Sequence, residues 1–301
     1  MRPLLRSTVP AVMVGPGVDS GMPEAPCQHN AESSVQRVRV VRWRGAERTE
    51  AEDRLAREEP LEIRVRGRAV AVTMRTPGPP EHDAELAAGF LLSEGVIRER
   101  ADIEAIDACG RNEWGNVLNV RLAPLVHVDF ERLSRHVFGS SSCGLCGKAS
   151  IGSLRVGIDP IASGVGIGAL ALGEMPARLG FGQPAFRQTG AVHAAGVFDP
   201  AGIPRVIRED VGRHNAVDKA VGHEFLRGAT PLGRCVLLVS GRISFEIVQK
   251  AGAAGIPILA GVSAPTALAV EFAREVGVTV VGFLREGRMN VYTHPHRIEG
   301  P

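Results

Sequence analysis

Lysine is almost missing from this 301-residue chain. Of its 35 basic residues only Lys148, Lys219 and Lys250 are lysines, and the rest are arginines. Either a composition biased toward arginine or a need for planar guanidinium forks that grip phosphate oxygens accounts for this. Aromatic residues make up only 4%, and no Lys/Arg run is interleaved with them. With a formal net charge of +2 and an isoelectric point near 8.4, that pattern argues against nucleic acid as a partner, so any anion site must be local. Near the N-terminus Pro10, Pro16, Pro23 and Pro26 break every apolar run, and Arg2 and Arg6 are not adjacent. Neither a signal peptide nor a membrane span is therefore expected. Five cysteines, an odd number and mostly scattered, do not make a secreted disulfide framework. A reducing, cytoplasmic setting is the expectation.

What remains is enough for a substantial core, since 44% of the residues are hydrophobic. Residues 1–34, rich in Pro, Gly and Ser and including Cys27, read as a disordered tail. An N-terminal α+β portion is expected over 35–137. Val38, Val40 and Trp43 alternate as in a strand, whereas Ala51 to Arg57 reads as a polar, helix-like patch. Leu61 to Val65 and Ala69 to Met74 alternate around Arg66-Gly67, a hairpin pattern. Glu81 to Glu94 carries Leu86, Phe90 and Leu91 at helical spacing, with Gly95 placed to cap it. Ile103 to Cys109 and Asn116 to Leu122 form a further strand pair, which makes Cys109 a buried, inert thiol. A short helix over Glu131 to Phe138 leads into a cysteine-bearing loop at 138–150.

The portion 151–301 is the more regular. Cys235 to Val239, Ile256 to Ala260 and Val278 to Leu284 are apolar strands, separated by helices over Ile243 to Ala254 and Pro265 to Val276, so the order is βαβαβ. Short connections and strands apolar on both faces predict a parallel sheet covered by helices. Cys235 falls in its core. Ligands of such sheets sit outside the carboxyl ends of the strands, where helix N-termini converge. That edge comprises Ser240-Gly241-Arg242, the segment Gly261 to Thr266 with Ser263, and Leu284-Arg285-Glu286-Gly287-Arg288. Arg242, Arg285 and Arg288 beside Ser263 and Thr266 suit a phosphorylated ligand, although neither the dinucleotide nor the P-loop glycine pattern is present. A second polar cluster packs Asp210, Arg213, His214, Asn215 and Asp218 into nine residues of sequence, either as a solvated face or as hydrogen-bonding groups for a heterocycle or a moving loop.

The most distinctive chemistry is Cys143-Gly144-Leu145-Cys146, set among Ser140, Ser141, Ser142 and Gly147. Zinc would need a second half-site, and no other C-x-x-C exists. The zinc-deaminase pattern is absent as well, since His193-Ala194-Ala195 has Ala where that chemistry needs Glu. A thioredoxin-like dithiol would sit rigidly at a helix start after a strand. A Gly/Ser tether instead suits a thiolate that carries sulfur between partners, with Lys148, Arg135 and His136 available to lower a cysteine pKa.

Several motifs in one order resemble the FdhD family of formate dehydrogenase accessory sulfurtransferases. They are Phe138-Gly139 through Gly147, Arg208 to Lys219, Ser240 to Lys250, Ile256 to Val270, and Gly282-Phe283-Leu284-Arg285 through Pro295, together covering roughly residues 38 to 298. The helix over Glu81 to Ile97 is similar too. Ala191, where the family often has Gly, and the long N-terminal tail depart from the pattern.

The resemblance implies a cytidine-deaminase-like α/β fold, a mixed or parallel sheet covered by helices but lacking zinc, and a homodimer. It implies acceptance of persulfide sulfur from a cysteine desulfurase of the IscS type, and delivery to the molybdenum or tungsten bis(guanine dinucleotide) cofactor needed by formate dehydrogenase. Cys143 and Cys146 would then be the persulfide pair, with Cys143 the essential one. Phe283, Leu284, Arg285, Glu286, Gly287 and Arg288 would contact the cofactor, helped by Ser240, Gly241, Arg242 and Ser263, and guanosine diphosphate would serve as a surrogate ligand. The alternative is a non-catalytic chaperone that binds and protects the same cofactor.

Overall fold

The structure is a computed structural model that describes residues 34–109, 115–134 and 158–300. Cys27, the cysteine loop with Cys143, Cys146 and Lys148, and Arg135 and His136 lie outside the described residues.

A two-stranded ribbon comes first, β1 (Val35–Arg44) against β2 (Glu47–Ala56). The patch read as helix-like is therefore a strand. Its polarity reflects solvent on most of its length, since nearly every residue of β2 is exposed, and a strand wet on both faces has no apolar alternation to reveal it. Next, β3 (Glu59–Val65) and β4 (Arg68–Arg75) form the predicted hairpin. Arg66 and Gly67 both have positive φ, as its tight turn requires. With β5 (Ile103–Ala108) and β6 (Val117–Leu122) they complete a four-stranded sheet in the order β4-β3-β6-β5. The predicted helix is α1 (Pro80–Ser93), and Gly95 at φ +69° follows its end. The short helix α2 is described over Phe130–Ser134.

The C-terminal portion holds α3 (Ala169–Phe181), α4 (Pro184–Thr189), β8 (His193–Phe198), β9 (Pro204–Asp210), α5 (Arg213–Leu226), β10 (Val236–Val239), α6 (Phe245–Ala253), β11 (Ile258–Gly261), α7 (Ala267–Glu275), β12 (Thr279–Arg285) and β13 (Arg288–Val291). Two-residue strands β7 (Ile167–Gly168) and β14 (Ile298–Glu299) pair beside it. The main sheet has six strands in the order β13-β12-β11-β10-β8-β9. As predicted, β10, β11 and β12 are parallel. The sheet as a whole is mixed, because the hairpins β8/β9 and β12/β13 add antiparallel strands at its two sides.

Helices α1 and α5 cross so closely that glycine is obligatory at two points. A Cβ on Gly89 would collide with the carbonyl oxygen of Asp218, and one on Gly222 with that of Glu85. This contact joins the two portions, and one hydrophobic core runs from Leu61, Ile63 and Leu91 through Val217 and Phe225 to Leu259 and Val280. A second core on the other face of the large sheet gathers Leu172, Met175, Phe198, Leu238 and Leu284.

Charges are built into the joint. Arg208 on β9 grips Glu85 of α1 with two hydrogen bonds of 2.6 and 2.7 Å, and His223 reaches the same carboxylate at 2.8 Å. One turn away, burial and then the positive charge of Arg208 push the His82 imidazole down to about 4. The unfolded chain would bind this proton near 6.5, so stability is intact above that pH and is lost as pH falls toward 4. Partial exposure trims the effect to about 2 kcal/mol. The melting temperature of His82→Gln is expected to fall less than that of the wild type between pH 7 and pH 5. Parallel curves for the two proteins would remove His82 from this role.

Candidate functional site

The carboxyl edge of β10, β11 and β12 is stitched together by backbone hydrogen bonds. Val262 N–H donates to the Val239 carbonyl at 3.1 Å, Ile243 to Ala264 at 3.1 Å, Thr266 to Ile243 at 3.0 Å, and Phe283 to Ser263 at 3.1 Å. Because β9 runs alongside with Asp210 opposite His193, the start of α5 reaches the same edge. The N-termini of α5, α6 and α7, with their unpaired N–H groups, therefore surround it, and an anion is favoured there.

Of the residues expected at this edge, Arg242, Arg285, Glu286, Gly287 and Arg288 are exposed. Arg288 pairs with Glu286 at 2.7 Å, both side chains lying in solvent. Such a pair contributes little and yields readily to a phosphate. Glu286 and Gly287 both have positive φ, so Arg285 to Arg288 is a tight hairpin turn whose strand partner β13 the sequence reading did not assign. Phe283 is 38% exposed and sits at φ +53°, where the β12/β13 register shifts. A bulky residue held in the left-handed region stores local strain, a property concentrated at ligand clamps.

Two expected contributors point elsewhere. The Leu284 side chain is fully buried in the second core, so only its backbone is offered at the edge. The Ser240 hydroxyl oxygen accepts a 2.9 Å hydrogen bond from the Ala194 N–H and fixes the start of β8. Gly241 is buried next to His193, and Ser263 holds Phe283 through its carbonyl.

The second polar cluster divides. Asp210 is fully buried and accepts from Lys219 Nζ at 2.6 Å, Gly212 N at 2.8 Å, Asn215 Nδ2 at 3.0 Å and Thr76 N at 3.1 Å. Asp218, also buried, accepts from Lys250 Nζ at 2.7 and 2.8 Å and from Ser93 at 3.2 Å. Burial pushes the Asp218 carboxyl up, against the pull of Lys250. Two of the three lysines are thus internal counter-ions, and Asp210, Asn215 and Asp218 form neither a solvated face nor a ligand site.

Arg213 and His214 take the other direction, toward the edge. There a cavity of about 230 Å³ is lined by Arg213, Arg242, Ser244, Glu246 and Thr266, among others. Ser244 donates to Glu246 Oε2 at 2.9 Å, and His214 Nε2 lies 3.6 Å from the same oxygen. Burial opposes the charge on Glu246, but the hydrogen bonds from His214 and Ser244 outweigh it and hold the carboxyl below the usual range. His193 beside them is held low by burial and then by Arg213 and His214. Glu246 and Phe245 were not foreseen as site residues, because an acid in the first turn of a helix ordinarily serves the helix dipole.

Neither of the two cysteines described in the structure lines that cavity. Cys235 is buried and its thiol is pushed up by burial. Cys109 is half-buried just past β5, its N–H donating to the Val117 carbonyl at 2.9 Å. Among the described residues no group of three or more His, Cys, Asp or Glu side chains is placed to hold a metal ion, and no helix is long and apolar enough to cross a membrane.

Fold and edge together define a mixed α/β protein with exposed arginines at the carboxyl ends of its parallel strands. The model of the FdhD/NarQ family matches residues 56–299, and the chain belongs to that family. It is 50% identical over 274 residues to a protein of Streptomyces avermitilis named sulfur carrier protein FdhD, covering 88% of this chain and 95% of that one. A Mycobacterium tuberculosis protein of the same name is 49% identical over 258 residues, covering 81% and 91%. A crystal structure from Desulfotalea psychrophila, described as a candidate formate dehydrogenase accessory protein, superposes with a TM-score of 0.72 at 26% identity, covering 88% of this chain and all of that one.

Proposed function

We propose that this protein is a sulfur carrier for formate dehydrogenase maturation. The Cys143 thiolate attacks the outer sulfur of a persulfide on a cysteine desulfurase of the IscS type. A new S–S bond forms on Cys143 as the donor's bond breaks and its cysteine leaves as thiolate, so no net oxidation occurs. The acceptor is the molybdenum or tungsten bis(guanine dinucleotide) cofactor, held with its phosphates at the edge formed by Arg242, Arg285 and Arg288, and with Phe283 against it.

The observation that carries this reading is the pairing, in one chain of this family, of a C-x-x-C on a Gly/Ser tether with that edge. Exposed guanidiniums, three helix N-termini and a strained exposed aromatic all fit an anionic, ring-bearing ligand. Homodimeric assembly, a cytoplasmic location and a cytidine-deaminase-like fold belong to the same reading.

Incubation with a desulfurase and cysteine, followed by mass spectrometry, is expected to show the Cys143 peptide heavier by one sulfur atom. An unmodified Cys143 peptide, with the desulfurase demonstrably loaded, would contradict sulfur transfer and favour a role in cofactor protection alone.

A further inference from the structure

The ribbon β1/β2 is the least covered element of the fold. Two paired strands alone are marginal in water, yet this ribbon runs in unbroken register from the pair Val35 and Ala56 to the pair Arg44 and Glu47. Contact with α4, including Arg54 Nη1 to Gln188 Oε1 at 3.0 Å, holds its base. The rest lies in solvent, with every residue from Val41 to Glu50 exposed. On its outer side β1 pairs with no strand among the described residues, and it carries neither a bulge nor a proline. Long regular edges of this kind are ordinarily shortened, bent or covered, because their free N–H and C=O groups are a template for another chain.

Charge and side-chain type decide which chain fits. Strand β1 exposes Arg37, Arg39, Arg42 and Arg44 and has no acid. Arg37 reaches Glu52 at 3.4 Å with both side chains in solvent, while Arg39, Arg42 and Arg44 enter no ion pair among the described residues. Alternation puts Val41 and Trp43 on the same face as Arg37 and Arg39, and the indole is 62% exposed. Tryptophan and arginine are the residue types that dominate binding energy between proteins. The neighbouring strand β2 exposes Glu47, Glu50, Glu52 and Asp53, which repel a phosphate backbone or an anionic lipid surface laid across the ribbon. The β1 edges of two copies repel one another too. An extended protein segment with acidic side chains, added beside β1, meets none of these objections.

The ribbon also stands in a useful place. Glu59, which opens β3 just beyond it, pairs with Arg75 of β4 at 2.9 Å. The next residue, Thr76, donates its N–H to Asp210 at 3.1 Å and accepts from the Val211 N–H at 3.0 Å, shortly ahead of Arg213 at the arginine edge. The ribbon thus springs from the flank of that edge. We propose that β1 is the docking strand for the enzyme that takes the cofactor from the edge. It receives an acidic, extended segment of that enzyme as a third strand, with Trp43 as the anchor. The inference rests on the reading that the edge holds a cofactor for formate dehydrogenase, and it adds the surface on which the recipient is met.

Purified, cofactor-free formate dehydrogenase from the same organism is the probe, with titration calorimetry and amide hydrogen exchange on the full chain as readouts. The wild type is expected to bind it, with the outward amides of β1 gaining protection and those of β2 gaining none. Trp43→Ser, and separately Arg39→Glu with Arg42→Glu, should each weaken binding about tenfold or more. Both variants should melt like the wild type, because all three side chains lie in solvent. Glu50→Gln on the neighbouring strand should not weaken binding. No binding by the wild type, equal affinity in the folded variants, or protection of β2 in place of β1 would each overturn the assignment. Protection of every β1 amide in the free protein would overturn it in favour of the chain itself or a second copy as occupant. Binding to phosphatidylglycerol vesicles in place of the enzyme, lost in Trp43→Ser, would overturn it in favour of lipid. If the variants lose the enzyme but wild-type Cys143 gains no sulfur, the docking strand stands and sulfur transfer fails. If Cys143 gains its sulfur and the variants bind the enzyme normally, the docking strand alone falls.

Discussion

Cells lacking their own carrier and supplied with the Cys143→Ala variant are expected to show formate dehydrogenase activity no higher than cells given no carrier at all, while the variant melts like the wild type. The expectation follows from the chemistry of transfer. A persulfide cannot form without a thiolate to attack the donor sulfur, and no arrangement of arginines replaces that nucleophile. Cys235 offers no substitute, since it is buried and burial pushes its thiol up. Assay of the enzyme in extracts of the complemented strain decides the matter. Full activation by Cys143→Ala would show that binding the cofactor suffices, and simultaneous replacement of Arg285 and Arg288 would then be the damaging change.

The second large effect concerns stability. Lys250→Met removes the cation that Asp218 faces at 2.7 Å, leaving a carboxylate inside the α1/α5/α6 junction with Ser93 as its remaining hydrogen-bond donor among the described residues. Breaking a buried pair from one side costs about 3–5 kcal/mol, which for a chain of this size lowers the melting temperature on the order of 10 °C. Asp218→Leu combined with Lys250→Met should recover much of the loss, since two apolar groups leave no charge to solvate. Calorimetric melting of both variants measures it. A Lys250→Met protein that melts within a degree or two of the wild type would mean that Asp218 is already protonated there, its carboxyl having been raised by burial beyond the reach of Lys250.

These two residues also show where the sequence is readable and where it is not. The β10-α6-β11-α7-β12 run is legible because each strand is a short, largely apolar block, β10 and β11 being closed by Ser240 and Gly261, and each helix repeats its apolar residues at turn spacing. The ends of those strands, and hence Arg242, Ser263 and Arg285, follow from topology alone. Strand β2 is not legible, since charges on both faces erase the period of two. Strand β9 is masked in the same way by Arg205, Arg208, Glu209 and Asp210, whose partners Glu224, Glu85, Ala185 and Lys219 lie on other elements. Helix α3 carries Pro176 in its interior, a signal that ordinarily argues against a helix. The inward turn of Asp210 and Asp218 could not be read from spacing, because a dense polar stretch looks the same whether water or a lysine from the neighbouring helix satisfies it. Glu246 was hidden by its conventional place in a helix's first turn.

Position 283 sets comfort against use. A left-handed backbone there is easiest for glycine, and a phenylalanine bears roughly 1–3 kcal/mol for it, which the surrounding fold has to offset. Breeding this protein for heat tolerance alone would steer residue 283 toward glycine or asparagine, yielding a hardier molecule stripped of the exposed ring at that edge.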